Sequence, residues 1–330
     1  MGEFELIRQY FMPLARLHGS DSIIVGPGDD CAVQRVPVGS DLVFSIDTLV
    51  EGVHFPLCYR ADYLGWRSLA VAASDLAAMG ADPACFTLAV TLPEADESWL
   101  RDFASGLGKA AESFGLVLAG GDTTRGPLAL SLQVHGLVPR GAAIRRSGAK
   151  PGDLVVVSGT LGDAGAALDY LEAHGCLEAQ GSRDAQSPST DEEFVLERYH
   201  HPVPRLTLGV ALRNLATAAI DVSDGLLADL GHILEASSVG ASIERARVPV
   251  SPALTRLKGL AARDYALYSG DDYELCATIP EASWAGAPSS LKQQLTVIGV
   301  IEPARGLRLD GAAVVSESDA VGFDHFRRKS

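Results

Sequence analysis

The residues of this chain that could do chemistry are carboxylates in unusual surroundings. In VGPGDDCAV, Asp29 and Asp30 follow a Gly-Pro-Gly turn between two apolar runs, and in LVFSIDTLVEGVHF, Asp47 closes an apolar run with His54 a few residues on. Asp75 lies in DYLGWRSLAVAASDLAAMG, a helical pattern in which Ala, Leu and Val surround it and an ionised side chain is costly unless paired or metal-bound. Asp122 follows two glycines in LAGGDTT, and Asp221 and Asp224 bracket Ser223 in AIDVSDGLLADL. Taken singly, Asp30, Asp122 and Asp224 read first as helix caps or turn formers; Asp75 is the exception, its alternative being a buried ion pair with Arg67 or another cation.

If several of these carboxylates converge, electrostatics decides what sits among them. Two carboxylates about 4 Å apart repel by roughly 4 kcal/mol at an effective dielectric near 20, so a group of them needs cations. Hard oxygen ligands without clustered Cys or paired His point to Mg²⁺ rather than Zn²⁺. Mg²⁺ held by a few carboxylates and completed by substrate phosphates suits phosphoryl transfer. His54 reads either as a packing residue or as a substrate contact, and Arg145 with Arg146 either as a phosphate clamp or as solvated linker charge. The common nucleotide motifs are absent: there is no GxxxxGK followed by Ser or Thr, GPGDDC fails GxGxxG, and DVSDGLLADLGH fails the calcium-loop spacing at His232. The strand-like LVVVS followed by Gly159, Gly162 and Gly165 is GxxGxxG, a weak dinucleotide pattern.

These residues must be positioned by alternating short strands and helices. Apolar runs at 22–26, 42–46, 85–92, 128–138 and 154–159 predict strands, while 62–79, 97–114 and 204–217 have helical spacing. At 330 residues the chain exceeds what one core usually fills, so two domains are expected, with the boundary in the Gly-, Pro- and Arg-rich stretch at 139–153: residues 1–139 and residues 140–330. Residues 178–193 have little apolar content and read as an irregular, mobile surface loop.

Composition narrows the partners. Asp and Glu number 42 against 27 Lys and Arg, a formal charge of −15 that repels nucleic-acid backbones and anionic lipid surfaces. The five cysteines are widely spaced, with no CxxC pair, and read as reduced thiols. The N-terminus MGEFELIRQYF mixes charge with its apolar residues and resembles neither a signal peptide nor an anchor, so a cytoplasmic protein is expected.

In order along the chain, GPGDDCAV, SIDTLVEGVHF, SDLAAMGADP, GGDT, RSGAKPGD, DVSDGLLADL and SGDDYEL resemble the thiamine-monophosphate kinase family, within the superfamily of aminoimidazole ribonucleotide synthetase and selenophosphate synthetase. The resemblance covers nearly the whole length. It implies ATP-dependent phosphorylation of thiamine monophosphate to thiamine diphosphate, with release of ADP. The implied fold class is α/β, of the α+β type. In this two-domain aminoimidazole ribonucleotide synthetase-like fold, an N-terminal metal- and ATP-binding domain forms a barrel across a homodimer. A C-terminal α/β domain closes over nucleotide and substrate.

Matched to the family's motifs, Asp30, Ser45, Asp47, Asp75, Asp122, Asp221 and Asp224 are the implied Mg²⁺ ligands, with Asp30, Asp47, Asp75, Asp122 and Asp221 catalytic through several bound ions. Gly121, Asp122, Arg146 and Ser223 are the implied nucleotide contacts; His54, Glu274 and Phe323 are the implied substrate contacts; K⁺ is a further candidate ion. Ile46 stands where some relatives carry a hydroxyl, so a metal contact there would use its backbone carbonyl, and Ser269 stands where glycine is usual. The alternatives are another ATP-using enzyme of the superfamily, of the selenophosphate or aminoimidazole ribonucleotide synthetase type, and a non-catalytic divalent-cation-binding protein. Cys31 falls in an apolar run after the acidic pair rather than in a reactive N-terminal position, and the chain ends FRRKS without a cysteine; neither favours a cysteine-dependent relative.

Overall fold

The computed structural model describes residues 3–16, 22–179 and 187–314. These residues form two compact units. The first takes the described residues up to Ala143 together with those within Tyr170–Ser187 and His200–Leu206; the second takes those within Ile144–Asp169, Pro188–Tyr199 and from Thr207 onward.

In the first unit, a short helix α1 (Glu3–Leu6) and a small ribbon of β1 (Ile23–Val25) and β2 (Val33–Gln34) precede a four-stranded sheet in the order β3-β6-β4-β5. Its strands are β3 (Ser40–Val50), β4 (Asp82–Leu92), β5 (Val117–Arg125) and β6 (Ala129–Pro139), with β4 and β5 parallel and the other neighbours antiparallel. Helices α2 (Ala61–Ala78) and α3 (Glu97–Phe114) pack on each other and on one face of this sheet.

The α3 sequence sets both of its own ends. The Asp96 carboxylate accepts from Trp99 N–H at 2.8 Å, and Gly115 takes the left-handed C-cap at φ 67°. Between them Leu100, Phe103, Ala104, Leu107, Ala111 and Phe114 recur at helical spacing and are buried. Two glycines let α2 approach closely: a Cβ on Gly65 would fall 2.2 Å from the Phe103 carbonyl oxygen, and one on Gly106 would fall 1.9 Å from that of Asp62.

Strand β3 alternates cleanly. Ser45, Asp47 and Leu49 share the face of their buried partners Val134, Leu132 and Leu130, whereas Phe44, Ile46 and Thr48 lie on the other. On that second face Leu42, Phe44 and Ile46 are exposed.

The second unit is built on a seven-stranded sheet in the order β13-β12-β9-β11-β7-β10-β8. Its strands are β7 (Asp153–Ser158), β8 (Ala218–Asp221), β9 (Gly240–Ile243), β10 (Leu275–Pro280), β11 (Leu295–Glu302), β12 (Gly306–Leu309) and β13 (Ala312–Ala313). Its helices include α7 (Leu226–Ser237), α8 (Pro252–Lys258) and α9 (Ala262–Tyr268), whereas α4 (Asp163–Ala179), α5 (Thr190–His200) and α6 (Leu206–Leu212) are shared with the first unit, which takes α4 from Tyr170, His200 of α5 and Leu206 of α6. The core gathers Val155, Val157, Ile220 and Ile298 from the strands with Leu226, Leu230 and Ile233 from α7.

Two expectations need correction. Helix α4 runs to Ala179 and α5 begins at Thr190, so residues 178–193 are not one irregular loop; only 180–186 lie outside the described residues. The start of α5 is a reciprocal cap, with Ser189 N–H donating to Glu192 Oε2 at 2.7 Å and Glu192 N–H donating to Ser189 Oγ at 3.3 Å. The polar run SPSTDEE is thus a helix start, whose acidic residues suit the dipole. The helical spacing at 204–217 also overshoots, because α6 ends at Leu212 and β8 begins at Ala218.

Among the described side chains Cys31, Cys58, Cys85 and Cys276 are free thiols. No helix among the described residues is long and apolar enough to cross a membrane.

Candidate active site

In the first unit two of the candidate acids, Asp47 and Asp75, meet where β3 meets α2. The Ser45 hydroxyl donates a short hydrogen bond to Asp75 Oδ2, tying strand to helix. Asp47, two residues on and on the same face, is pushed up to about 6, first by burial and then by the negative charge of Asp75. Burial and a neighbouring acid both disfavour its charged form, and a hard divalent ion held by Asp47 and Asp75 would relieve this. Ile46 points its side chain to the opposite face, so among residues 45–47 only the outer two direct side-chain oxygens toward Asp75.

Asp30 is exposed in the GPGDD turn, where its N–H donates to Asp29 Oδ1 at 2.9 Å. Gly121 lies in the β-sheet row of Asp47, through Leu132 and Leu88, and a Cβ there would fall 2.0 Å from the Leu88 carbonyl oxygen. Asp122, exposed, occupies the next row with Ala89. His54 closes the turn after β3: its N–H donates to Val50 O at 3.0 Å and its Nδ1 accepts from Val50 N–H at 3.0 Å, which puts the ring proton of the neutral form on Nε2.

In the second unit Asp221 ends β8 and is buried, while Ser223 and Asp224 are half-buried in the following loop. Arg146 is exposed on a segment anchored to β8 and to the C-terminal end of α7. The Arg145 carbonyl accepts from Ala219 N–H at 3.1 Å, along β8 at the end of the sheet, and the Arg146 carbonyl accepts from Ser237 Oγ at 3.2 Å.

The SGDDYEL motif packs on this loop through its backbone. Asp271 N–H donates to Ser223 O at 2.8 Å and Tyr273 N–H to Val222 O at 2.9 Å, with Asp271 and Tyr273 both in the left-handed region, at φ 68° and 51°. Glu274 is fully buried, accepting from Ser158 Oγ at 2.5 Å and from Arg198 Nη2 at 2.8 Å. Phe323 lies outside the described residues.

Sequence reasoning missed four charged residues here. Asp229, at the start of α7, is 2% exposed and pushed up to about 7 by burial and then by Asp224. Asp163 and Asp272 are buried beside Glu274 and the half-buried Arg198. Burial raises both carboxyls, against the hydrogen bonds Asp163 accepts from Ser251 and Thr160 and Asp272 accepts from Gly162 N–H. Burial alone would lower Arg198, and Glu274 holds it above its ordinary value. For Asp229 the signal was an acid among leucines in LLADL; for Arg198, in LERYHHP, there was none.

The GxxGxxG glycines have a different use from nucleotide binding. A Cβ on Gly159 would fall 2.2 Å from Glu274 Oε1, one on Gly162 2.5 Å from Ala266 N, and one on Gly165 2.3 Å from Ser269 Oγ. Among the described residues no three His, Cys, Asp or Glu side chains form a group that could hold a metal ion; Asp47 stands paired with Asp75, whereas Asp229 beside Asp224 is turned to backbone N–H groups. The pair of Asp47 and Asp75 fits Mg²⁺, which takes one or two carboxylates and leaves other positions to water and phosphate.

Two units, each a sheet with helices, joined in this order and edged with paired acids, define an AIR synthase related protein. The N-terminal domain model of that group matches residues 28–138 and the C-terminal domain model residues 150–311. The chain is 44% identical over 336 residues, 98% of each sequence, to the thiamine-monophosphate kinase of Escherichia coli (strain K12). The crystal structure of thiamine-monophosphate kinase from Stenotrophomonas maltophilia K279a matches with TM-score 0.85 and 45% identity, covering 95% of this chain and 98% of that one. A structure described as AaThiL complexed with AMPPCP and TMP matches with TM-score 0.79 and 31% identity over 98% and 97%. The chain belongs to the thiamine-monophosphate kinase family.

Proposed function

We propose that this chain transfers the γ-phosphate of ATP to the phosphate of thiamine monophosphate, giving thiamine diphosphate and ADP. The observation that carries this is the acid pair of Asp47 and Asp75, held by Ser45, in a chain like thiamine-monophosphate kinase from end to end. The two alternatives from the sequence, a different ATP-using enzyme of the superfamily and a non-catalytic cation-binding protein, have no observation in their favour.

The acceptor phosphate has a second pKa of about 6, so at pH 7 it is mostly ionised and needs no strong general base. The chain's task is then to hold two anions in line and to offset their charge. We assign Asp30, Ser45, Asp47, Asp75, Asp122, Asp221 and Asp224 to several Mg²⁺ ions, which when bound would screen the donor and acceptor phosphates and offset charge on the leaving group. Gly121, Asp122, Arg146 and Ser223 are assigned to the nucleotide. His54, with its proton on Nε2, is assigned to the substrate. Glu274 joins it through Arg198, whose guanidinium it orients. On this reading residues 1–139 are the metal-, ATP- and dimer-forming domain and residues 140–330 supply the remaining nucleotide and substrate contacts.

A homodimer is supported by the exposed Leu42, Phe44 and Ile46 on one face of β3, an apolar strip at the edge of a four-stranded sheet. A cytoplasmic location agrees with the free thiols.

The test is ADP release with thiamine monophosphate, ATP and Mg²⁺, with product identified chromatographically and K⁺ exchanged for Na⁺ in a parallel series. Turnover only with an aminoimidazole precursor or selenide would overturn the kinase reading, and absence of ADP with every substrate would favour the non-catalytic one.

A further inference from the structure

Asp229 has a position that no catalytic assignment uses. Its Oδ2 accepts from three successive backbone N–H groups, those of Ser223, Asp224 and Gly225, each at 3.1 Å. Three consecutive amides aimed at one point make an anion-binding nest, the arrangement with which many loops cradle a phosphate. Here the chain fills the nest with its own carboxylate. The amides of this loop are therefore committed to Asp229, while Ser223 and Asp224 stay partly exposed.

The carboxylate is itself rigidly carried. Asp229 lies in the first turn of α7, whose Leu226, Leu227, Leu230 and Ile233 are in the core of the second unit. From the other side the loop is held by Asp271 N–H on Ser223 O and Tyr273 N–H on Val222 O, and Gly270 comes so close that a Cβ there would fall 2.1 Å from Ser223 O. The loop is clamped between a helix-borne carboxylate and the SGDDYEL backbone.

We propose that Asp229 is the positioning residue that presets the 222–225 loop, so that Ser223 and Asp224 meet nucleotide and Mg²⁺ without rearrangement. This rests on the reading above in which Asp221, Ser223 and Asp224 carry metal and nucleotide contacts. A group one bond behind the ligands acts on affinity as strongly as some ligands do, typically about 10- to 100-fold.

The test compares Asp229→Asn, Asp229→Glu and Asp224→Asn in the full-length enzyme. Asp229→Asn keeps the volume and loses the charge that binds the three amides. It should raise the Mg²⁺ concentration for half-maximal rate and the KM for ATP about 10-fold, leave the KM for thiamine monophosphate close to wild type, and be partly rescued by Asp229→Glu. A lowered Tm with unchanged Mg²⁺ and ATP dependence overturns the proposal, because a merely structural residue would do that. If Asp224→Asn shifts the Mg²⁺ dependence and Asp229→Asn does not, the positioning role fails while the site reading stands. If Asp224→Asn shifts nothing, the site reading fails and this inference with it. Should Asp229→Asn not fold, hydrogen exchange of the wild type without ligands decides: protected amides at Ser223, Asp224 and Gly225 support the preset loop, and fast exchange there overturns it.

Discussion

The Ser45 hydroxyl on β3 donates to the Asp75 carboxylate on α2, across the contact between strand and helix and thirty residues away in sequence. This bond fixes where a mid-helix acid points, and it gives an aspartate in an alanine-rich helix a polar partner. Replacing Asp75 by Asn keeps an oxygen for Ser45 while removing charge. Turnover should fall by about two orders of magnitude or more, the scale of several kcal/mol of lost charge stabilisation. Circular dichroism and Tm should stay near wild type; unfolding with retained specific activity would contradict the assignment.

Arg198 and Glu274 are 2.8 Å apart within the second unit, with Asp163 and Asp272 buried beside them. Taking a cation from among buried carboxylates costs far more than the pair contributes, about 3 to 5 kcal/mol. Arg198→Met should lose stability on that scale in urea unfolding, and adding Glu274→Gln should restore part of it. A cost below about 1 kcal/mol, typical of surface pairs, would show that the pair is effectively solvated.

His200 is buried against Tyr63, with their rings stacked at 4.3 Å, and its Nδ1 lies 2.7 Å from the Tyr59 hydroxyl. Burial, helped by the charges of His201, Arg67 and Arg60, lowers its pKa from 6.5 to about 3. The unfolded chain therefore binds a proton that the folded chain refuses between those values, so this residue's contribution to stability is lost as pH falls below about 6.5, with a slope approaching 1.4 kcal/mol per pH unit. His200→Phe removes that slope. The stability difference between wild type and variant should shrink from pH 7 to pH 4 in denaturant titrations, and a constant difference would refute the buried neutral ring.

Gly159 adopts φ +55° with its missing Cβ 2.2 Å from Glu274 Oε1. Gly159→Ala meets both a left-handed backbone, costing roughly 1 to 2 kcal/mol, and the carboxylate itself. Stability should drop by more than the backbone cost alone, and the KM for thiamine monophosphate should rise if Glu274 is displaced. Thermal melts with steady-state kinetics measure both.

Phe44 and Ile46 are 62% and 63% exposed on the outer face of β3. If that strip joins two copies of the chain, Phe44→Glu with Ile46→Glu should give a monomer in sedimentation velocity, with little loss of secondary structure because neither side chain belongs to the core. An unchanged sedimentation coefficient would rule the strip out as the interface.

Much of this protein is determined by local sequence. Residues 97–114, read as helical from spacing, form α3 with those same ends, because Asp96 and Gly115 are caps written into the chain and the buried stripe lies between them. The alternation of β3 and the apolar run of β7 were legible for the same reason, since period and burial are properties of neighbouring residues. The motifs of the family were legible too, as short strings that recur in order.

Which distant residues share an environment is set by packing across the fold. Nothing in LERYHHP marks Arg198 as the cation beside Glu274, because their sequence separation of 76 is closed only by the fold. GxxGxxG is only a weak dinucleotide pattern in the sequence, and close approach to the 265–274 segment accounts for each of its glycines. Asp229 looked like one acid among leucines until three amides converged on it. Caps and periodicity act over one or two turns of chain, whereas desolvation and charge pairing depend on what folding brings near, so the identity of the acids was written in the sequence and their pairing was not.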